Sequence, residues 1–191
     1  MAISTADIKQ LREATGAGIL DCKKALQETG GDLDQAIEIL RKKGLAAASK
    51  KASREANEGL VSAQVSDDGQ VGVMVEVNCE TDFVARTDDF QAFVEAIVRQ
   101  VAENPALDSV EALLEAPFID NKDNTVAQEL TETIAKLGEN MQIRRLARYQ
   151  RQDGGLLDSY IHIGGRVGVL LEVAGGSVKD SQFVELVHDL A

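Results

Sequence analysis

The chain has no tryptophan, only two prolines, two cysteines and two histidines, and aromatic residues make up 4% of its 191 positions. Each scarcity removes a class of protein. Cys22 and Cys79 lie far apart and outside metal-ligand spacing, so two reduced, partly buried thiols are expected, with neither a disulfide framework nor a zinc site. His162 and His188 occupy unrelated positions, and no CxxC, HExxH, GxSxG or P-loop pattern occurs. Nucleophilic and metal-dependent catalysis therefore lack their residues, and no cofactor is implied. Acidic side chains are abundant, but abundance is not an acid–base pair, so the chain does not read as an enzyme. No apolar run approaches the about eighteen residues needed to cross a bilayer. The opening MAISTADIKQ resembles neither a secretory signal nor a transit peptide. The reading is a soluble, cytoplasmic protein without a membrane role.

What is present is acid, unevenly spread. The formal net charge is −12, which argues against an extended nucleic-acid surface, since such a surface must neutralise phosphates. Residues 1–54 hold 10 Lys/Arg and 7 Asp/Glu, whereas residues 55–191 hold 10 and 25. The asymmetry fits two modules with different surfaces.

Hydrophobic periodicity draws the same division. Residues 1–54 read as three short helices and a linker. Ser4 caps the first helix, which presents Ile8, Leu11 and Ala14 and stops at Gly16. The second runs from Ile19 to Glu28 with Ile19, Cys22, Ala25 and Leu26 inward. Asp32 with Gln35 opens the third, whose stripe of Leu33, Ala36, Ile37 and Leu40 is expected to end at Gly44. The alanine-rich, basic stretch 45–57 reads as a helical linker.

From Gly59 the period changes from 3.6 to 2. Residues 60–65, a turn at 66–69 and residues 71–77 form an expected β-hairpin, with Val71, Val73, Val75 and Val77 on one face. VGVMVEV (71–77) returns as VGVLLEV (167–173), 96 residues on, with residues 156–162 as its hairpin partner. Each hairpin leads to a helix carrying phenylalanine, which points to an internal duplication. The expected architecture is α+β: a three-helix module over 1–54, then an α+β body over 55–191 in two related halves, about 55–138 and 139–191. Between the hairpins the pattern is mostly helical: 110–114, then a helix presenting Val126, Leu130, Ile134 and Leu137, capped by Thr125 and Gln128 and stopped at Gly138. Residues 139–146 read as extended.

The junction 78–86, NCETDFVAR, joins the strand 71–77 to a helix whose Phe90, Phe93, Val94, Ile97, Val98 and Val101 form a helical stripe. Asp88 with Gln91 reads as that helix's N-cap box. Asp82 and Phe83 at the strand-to-helix turn are the functional candidates. Spacing alone leaves two other roles open: Phe83 lies seven residues before Phe90 and so on the same stripe if the helix starts early, and Asp82 can be a helix N-cap.

NCETDFVAR (78–86) and LREATGAGILDCKKALQETGGDLDQAIEILRKKG (11–44) resemble the bacterial elongation factor Ts family, guanine-nucleotide exchange factors for elongation factor Tu. The GENxxIRR stretch from Gly138 agrees. The resemblance implies that the N-terminal module is ubiquitin-associated-like and that the chain binds elongation factor Tu, both GDP-bound and nucleotide-free. It also implies that GDP/GTP exchange is promoted by disturbing the magnesium site. On this reading Thr81, Asp82, Phe83 and Val84 form the magnesium-dislocation segment. Leu11, Gly16, Gly18, Asp21 and Lys23 match the family pattern of the module that grips the partner's nucleotide domain, as folding or as contact residues. His162 and Arg166, with Tyr160, resemble a surface for another partner domain. The chain looks like the compact form of the family or a copy slightly shortened at its end. Compact members resemble dimers, and the face Phe183, Leu186, Val187 and Leu190 can serve a homodimer or cover the sheet; both stay open.

Overall fold

The structure, a computed structural model, describes residues 3–191. It is a mixed α and β molecule whose sheets are antiparallel, and its buried apolar residues fall into two clusters. The smaller cluster is built by three helices, α1 (Thr5–Thr15), α2 (Ile19–Glu28) and α3 (Leu33–Lys51). Leu11, Cys22, Ala25, Leu26, Ala36 and Leu40 fill it. Ser4 and Asp7 form a reciprocal capping box at α1, and Gly16 ends that helix at φ 64°. Asp32 caps α3 by accepting the Gln35 N–H at 3.0 Å.

Three expectations for this part fail. Ile19 and Ala14 point outward, Ile19 being 57% exposed, because it stands on the first turn of α2, before Cys22 reaches the core. Gly44 does not stop α3, which runs on to Lys51. It marks instead a close helix crossing, since a Cβ there would sit 3.4 Å from the Ala135 methyl.

The larger cluster lies between a three-stranded sheet and helices. β1 (Glu58–Val65) and β2 (Val71–Cys79) form the expected hairpin, and β5 (Met141–Gln150) pairs with the other edge of β2, giving the order β1-β2-β5. Val73, Val75 and Val77 are fully buried and Val71 half-buried, as the alternation required. Helix α4 (Asp82–Ala85) is a single turn, followed by α5 (Asp88–Glu103), which lays Phe90, Phe93, Val94, Ile97, Val98 and Val101 on the sheet, all buried. Burying such a stripe, at about 1.5–3 kcal/mol per large side chain, is what holds helix to sheet.

Helix α6 (Val110–Glu115) and the small strands β3 (Pro117–Phe118) and β4 (Asn121–Thr125) lead to α7 (Val126–Leu137). The β3–β4 ribbon interrupts a stretch whose sequence pattern is helical. Buried Gln100 supports it, donating to the Pro117 carbonyl at 2.9 Å and accepting the Ile119 N–H at 3.0 Å, while Phe118 stacks on Phe93. Thr125 and Gln128 form the expected box, and Gly138 the expected stop.

β6 (Leu156–Ile161) and β7 (Gly168–Val173) make a separate two-stranded sheet, followed by α8 (Ser181–Leu190). Gly168 of β7 lies against Val61 and Met74, and the Val61 N–H donates to the Gly165 carbonyl at 2.6 Å, so this hairpin docks on the first one. The order hairpin-then-helix thus occurs twice, but β2 alternates deeply buried positions whereas β7 is half-buried throughout. On α8, Val187 is fully buried, Phe183 half-buried, and Leu186 and Leu190 are exposed. No helix among the described residues is long and apolar enough to cross a membrane.

Candidate functional site

The strand-to-helix turn after β2 is built so that one aromatic ring stands clear. β2 ends at Cys79, paired with Met141 of β5. The backbone then leaves the sheet, because Thr81 caps α4 through its side chain, which accepts the Val84 N–H at 3.4 Å. Thr81, not Asp82, is therefore the N-cap. Asp82 begins the helix and pairs with Arg86 at 2.8 Å, an i,i+4 pair on the surface. The second expected cap also shifts by one residue: Thr87, not Asp88, accepts the Phe90 N–H at the start of α5. The Thr87 hydroxyl also donates to the Val84 carbonyl at 2.8 Å, fixing the break between the two helices. That break removes the early-start alternative for Phe83. Phe90 is fully buried, but Phe83 is 80% exposed.

The floor of the turn is fixed. Ala85 is buried and Val84 packs on the main core. Glu139 accepts both the Thr81 N–H at 3.0 Å and the Thr81 hydroxyl at 2.6 Å. Glu80 accepts the Asn140 N–H at 2.6 Å, and the Arg54 guanidinium lies 3.3 Å away. These donors, the Asn140 N–H first and Arg54 after it, hold the Glu80 carboxyl below the usual carboxylate range. The buried Asn140 side chain donates to the Arg54 carbonyl at 2.7 Å. Cys79 is buried beneath, its thiol 3.1 Å from the Thr81 carbonyl, and burial, then the Glu139 charge, pushes it up to about 11. It is a packed neutral thiol, unsuited to nucleophilic chemistry at neutral pH.

Glu80, Glu139 and Asn140 were not singled out from the sequence. Glu139 and Asn140 stand in the GENxxIRR stretch and Glu80 in NCETDFVAR, so the resemblance covers all three, but neither it nor their spacing assigns them a role at the turn.

The remaining sequence candidates lie elsewhere. Leu11 is fully buried in the three-helix core, a folding position. Gly16 caps α1 beside the Lys136 side chain, and Gly18 is the N-cap of α2. Asp21 pairs with Lys43 at 2.5 Å, and Lys23 is exposed. His162 and Arg166 stand on the exposed β6–β7 loop. The His162 ring nitrogen lies 3.0 Å from the Tyr160 hydroxyl, and Arg166 pairs with Glu58 at the start of β1. Ile163 between them is 92% exposed. These candidates lie at the α1–α2 junction and on the β6–β7 loop, and Arg166 reaches through Glu58 to the end of the sheet where Glu58 pairs with Cys79, next to the α4 turn. No group of three or more His, Cys, Asp or Glu side chains among the described residues is arranged to hold a metal.

Similarity to known proteins covers most of the chain. The family model described as elongation factor TS matches residues 80–191, starting at Glu80. Among curated relatives, the elongation factor Ts of Trichlorobacter lovleyi is 56% identical, covering 90% of this chain and 55% of the relative. That of a Nostoc species is 52% identical over 90% of this chain and 54% of its own length. That of Aquifex aeolicus is 48% identical, covering 100% of this chain and 66% of the relative. The chain spans about half to two thirds of the length of these relatives.

Proposed function

The chain belongs to the elongation factor Ts family, and on that premise we propose that it is a guanine-nucleotide exchange factor for elongation factor Tu in translation elongation. It acts in the cytoplasm without covalent catalysis, binding the GDP-bound partner, promoting GDP release and remaining bound until GTP enters. The observation that carries this reading is Phe83, a large apolar ring held 80% exposed on a clamped turn.

The point of action is magnesium in the partner. That ion demands near-ideal octahedral geometry and bridges protein to phosphate oxygens. A wedge that displaces the groups holding it removes the main countercharge of the diphosphate. Phe83 is the wedge and Val84 its base. Thr81 holds the turn, and Asp82 brings an acceptor and a negative charge, tempered by Arg86, toward an anionic site. Linkage makes the effect reciprocal: what weakens nucleotide binding is weakened equally by nucleotide. A thousandfold weakening requires about 4 kcal/mol of differential binding, whereas one phenyl ring entering a pocket supplies roughly 1.5–3 kcal/mol. More surface must therefore engage. We assign that role to a ubiquitin-associated-like module of residues 1–54, through Gly16, Gly18, Asp21 and Lys23 at the α1–α2 junction, and to His162 and Arg166 on the β6–β7 loop of the body.

The test is release of a fluorescent GDP analogue from elongation factor Tu, with the unmodified chain and with Phe83→Ala. Acceleration by the chain that falls about tenfold or more in the variant is the expected result, from the lost burial of one ring. A folded chain that does not accelerate release refutes the reading.

A further inference from the structure

A single helical turn is a poor platform for a wedge. Four residues make no self-supporting helix, and the first amides of any helix lack internal partners. Something outside α4 must aim Phe83. The register of the sheet identifies it. The β2–β5 ladder has its last backbone pair at Cys79 and Met141. Continued by two residues it would pair Glu80 with Asn140 and Thr81 with Glu139. Those are the residues that bond, but through carboxylates in place of carbonyls: Glu80 accepts the Asn140 N–H at 2.6 Å, and Glu139 accepts the Thr81 N–H at 3.0 Å and its hydroxyl at 2.6 Å. The side chains reach across where the main chain has already turned away to start α4. Because the Thr81 hydroxyl gives its proton to Glu139, its lone pairs are left for the Val84 N–H. One carboxylate thus sets both the backbone entering the turn and the cap of the turn.

We propose that Glu139 is the positioning residue of the Phe83 turn, prolonging the sheet's rigidity to the edge of α4 and so setting how effectively the ring acts on the partner. The second half of this statement rests on the exchange reading; the first does not. Hydrogen bonds to a charged group are among the stronger ones, and two of them converge here.

The absence of tryptophan supplies the probe. Phe83→Trp places a single indole at the exposed position, and its fluorescence anisotropy decay reports local motion of the turn. Three variants are compared in that background and, for nucleotide release, with Phe83 in place. Glu139→Ala removes both acceptors. Glu139→Gln can keep both bonds, its oxygen accepting the Thr81 N–H and its amide donating to the hydroxyl. Thr81→Val removes the hydroxyl while keeping the volume, and serves if Glu139→Ala does not fold. The expected result is a larger fast component of the decay in Glu139→Ala and Thr81→Val, with Glu139→Gln close to the unmodified chain. In parallel, the maximal rate of GDP release at saturating chain falls about tenfold in Glu139→Ala and recovers in Glu139→Gln. Decays that coincide in all variants overturn the positioning role, whatever the release rates do. A loosened turn with an unchanged release rate overturns its consequence for exchange. If even the unmodified chain fails to speed release, the exchange reading falls, and the anisotropy alone still decides whether Glu139 holds the turn.

Discussion

Of the phenylalanines, Phe90, Phe93 and Phe118 are buried and stacked or packed against the sheet, and Phe83 alone is mostly in water. A ring left exposed contributes little to folding, so Phe83→Ala is expected to leave the thermal unfolding midpoint unchanged while lowering nucleotide release. A large drop in the midpoint would mean that the ring packs in solution. Next to it, Glu80 ties the turn to pH. Its folded carboxyl is held below the ordinary value of 4.5, so the stability it adds is fully present above that value and is lost as pH falls through the lower folded one. Replacing it by glutamine should therefore flatten the acid limb of a stability–pH profile, read by urea midpoints between about pH 3 and pH 6. An acid limb identical in Glu80→Gln would place the acid sensitivity in other carboxylates. Both cap assignments show how fine the residue scale is. Thr81 and Thr87 cap α4 and α5 although Asp82 and Asp88 stand next to them, because the hydroxyls are also engaged, by Glu139 and by the Val84 carbonyl.

Among the elements, the β1–β2 hairpin carries the tightest constraint. Gly59 has φ 142°, and a side chain there would run into the backbone of Val77 and Asn78. Gly59→Ala is expected to cost about 2 kcal/mol or more, since neither the dihedral nor the opposing main chain can yield. The check is the denaturant midpoint against Gly30→Ala, where φ is 64° and the space is open, which should cost only about 1 kcal/mol. The hairpins, α5, α6 and α7 were legible beforehand because period, caps and turn residues agreed there: alternating valines, the Phe90-to-Val101 stripe, Thr125 with Gln128, Gly138. What was not legible depended on tertiary partners. Nothing local says that β5 joins β2, or that Gly44 is a crossing point and no stop. The β3–β4 ribbon rests on a buried glutamine, Gln100, 17 and 19 residues before the two backbone groups it bonds. The turn at 81–84 was legible as a place, but its exposure was not, since spacing alone also put Phe83 on the buried stripe. Its support from Glu139 comes from a segment 58 residues away.

Across the whole molecule, the three-helix part docks on α7 through charge as well as shape. Arg41 of α3 donates to Asn124 at 2.7 Å and lies 4.0 Å from Glu132, beside a cleft of about 480 Å³ lined by the α1–α2 junction, α3, α7 and β4. Burial first, then the Glu129 charge, pushes the Glu132 carboxyl up, and Arg41 and Asn124 offset this only in part. A raised folded value means that stability falls as pH rises from 4.5 through it, so ionised Glu132 is a net cost at neutrality. Glu132→Gln should raise the calorimetric midpoint at about pH 7, with the gain shrinking toward pH 4.5. A loss at neutrality would mean that the Arg41 pair outweighs the burial.

Helix α3 draws these parts together, for it supplies Ala36 and Leu40 to one core and Ala48 to the edge of the other. Nineteen residues of unbroken helix span about 28 Å. Such a strut does not behave as a flexible tether. A partner already held at one end of it meets the surface at the other end at a nearly fixed distance, so the second contact forms at high effective concentration when that distance fits and scarcely at all when it does not. Under the proposed function, the length of α3 then becomes one of the terms that decide whether a partner fits.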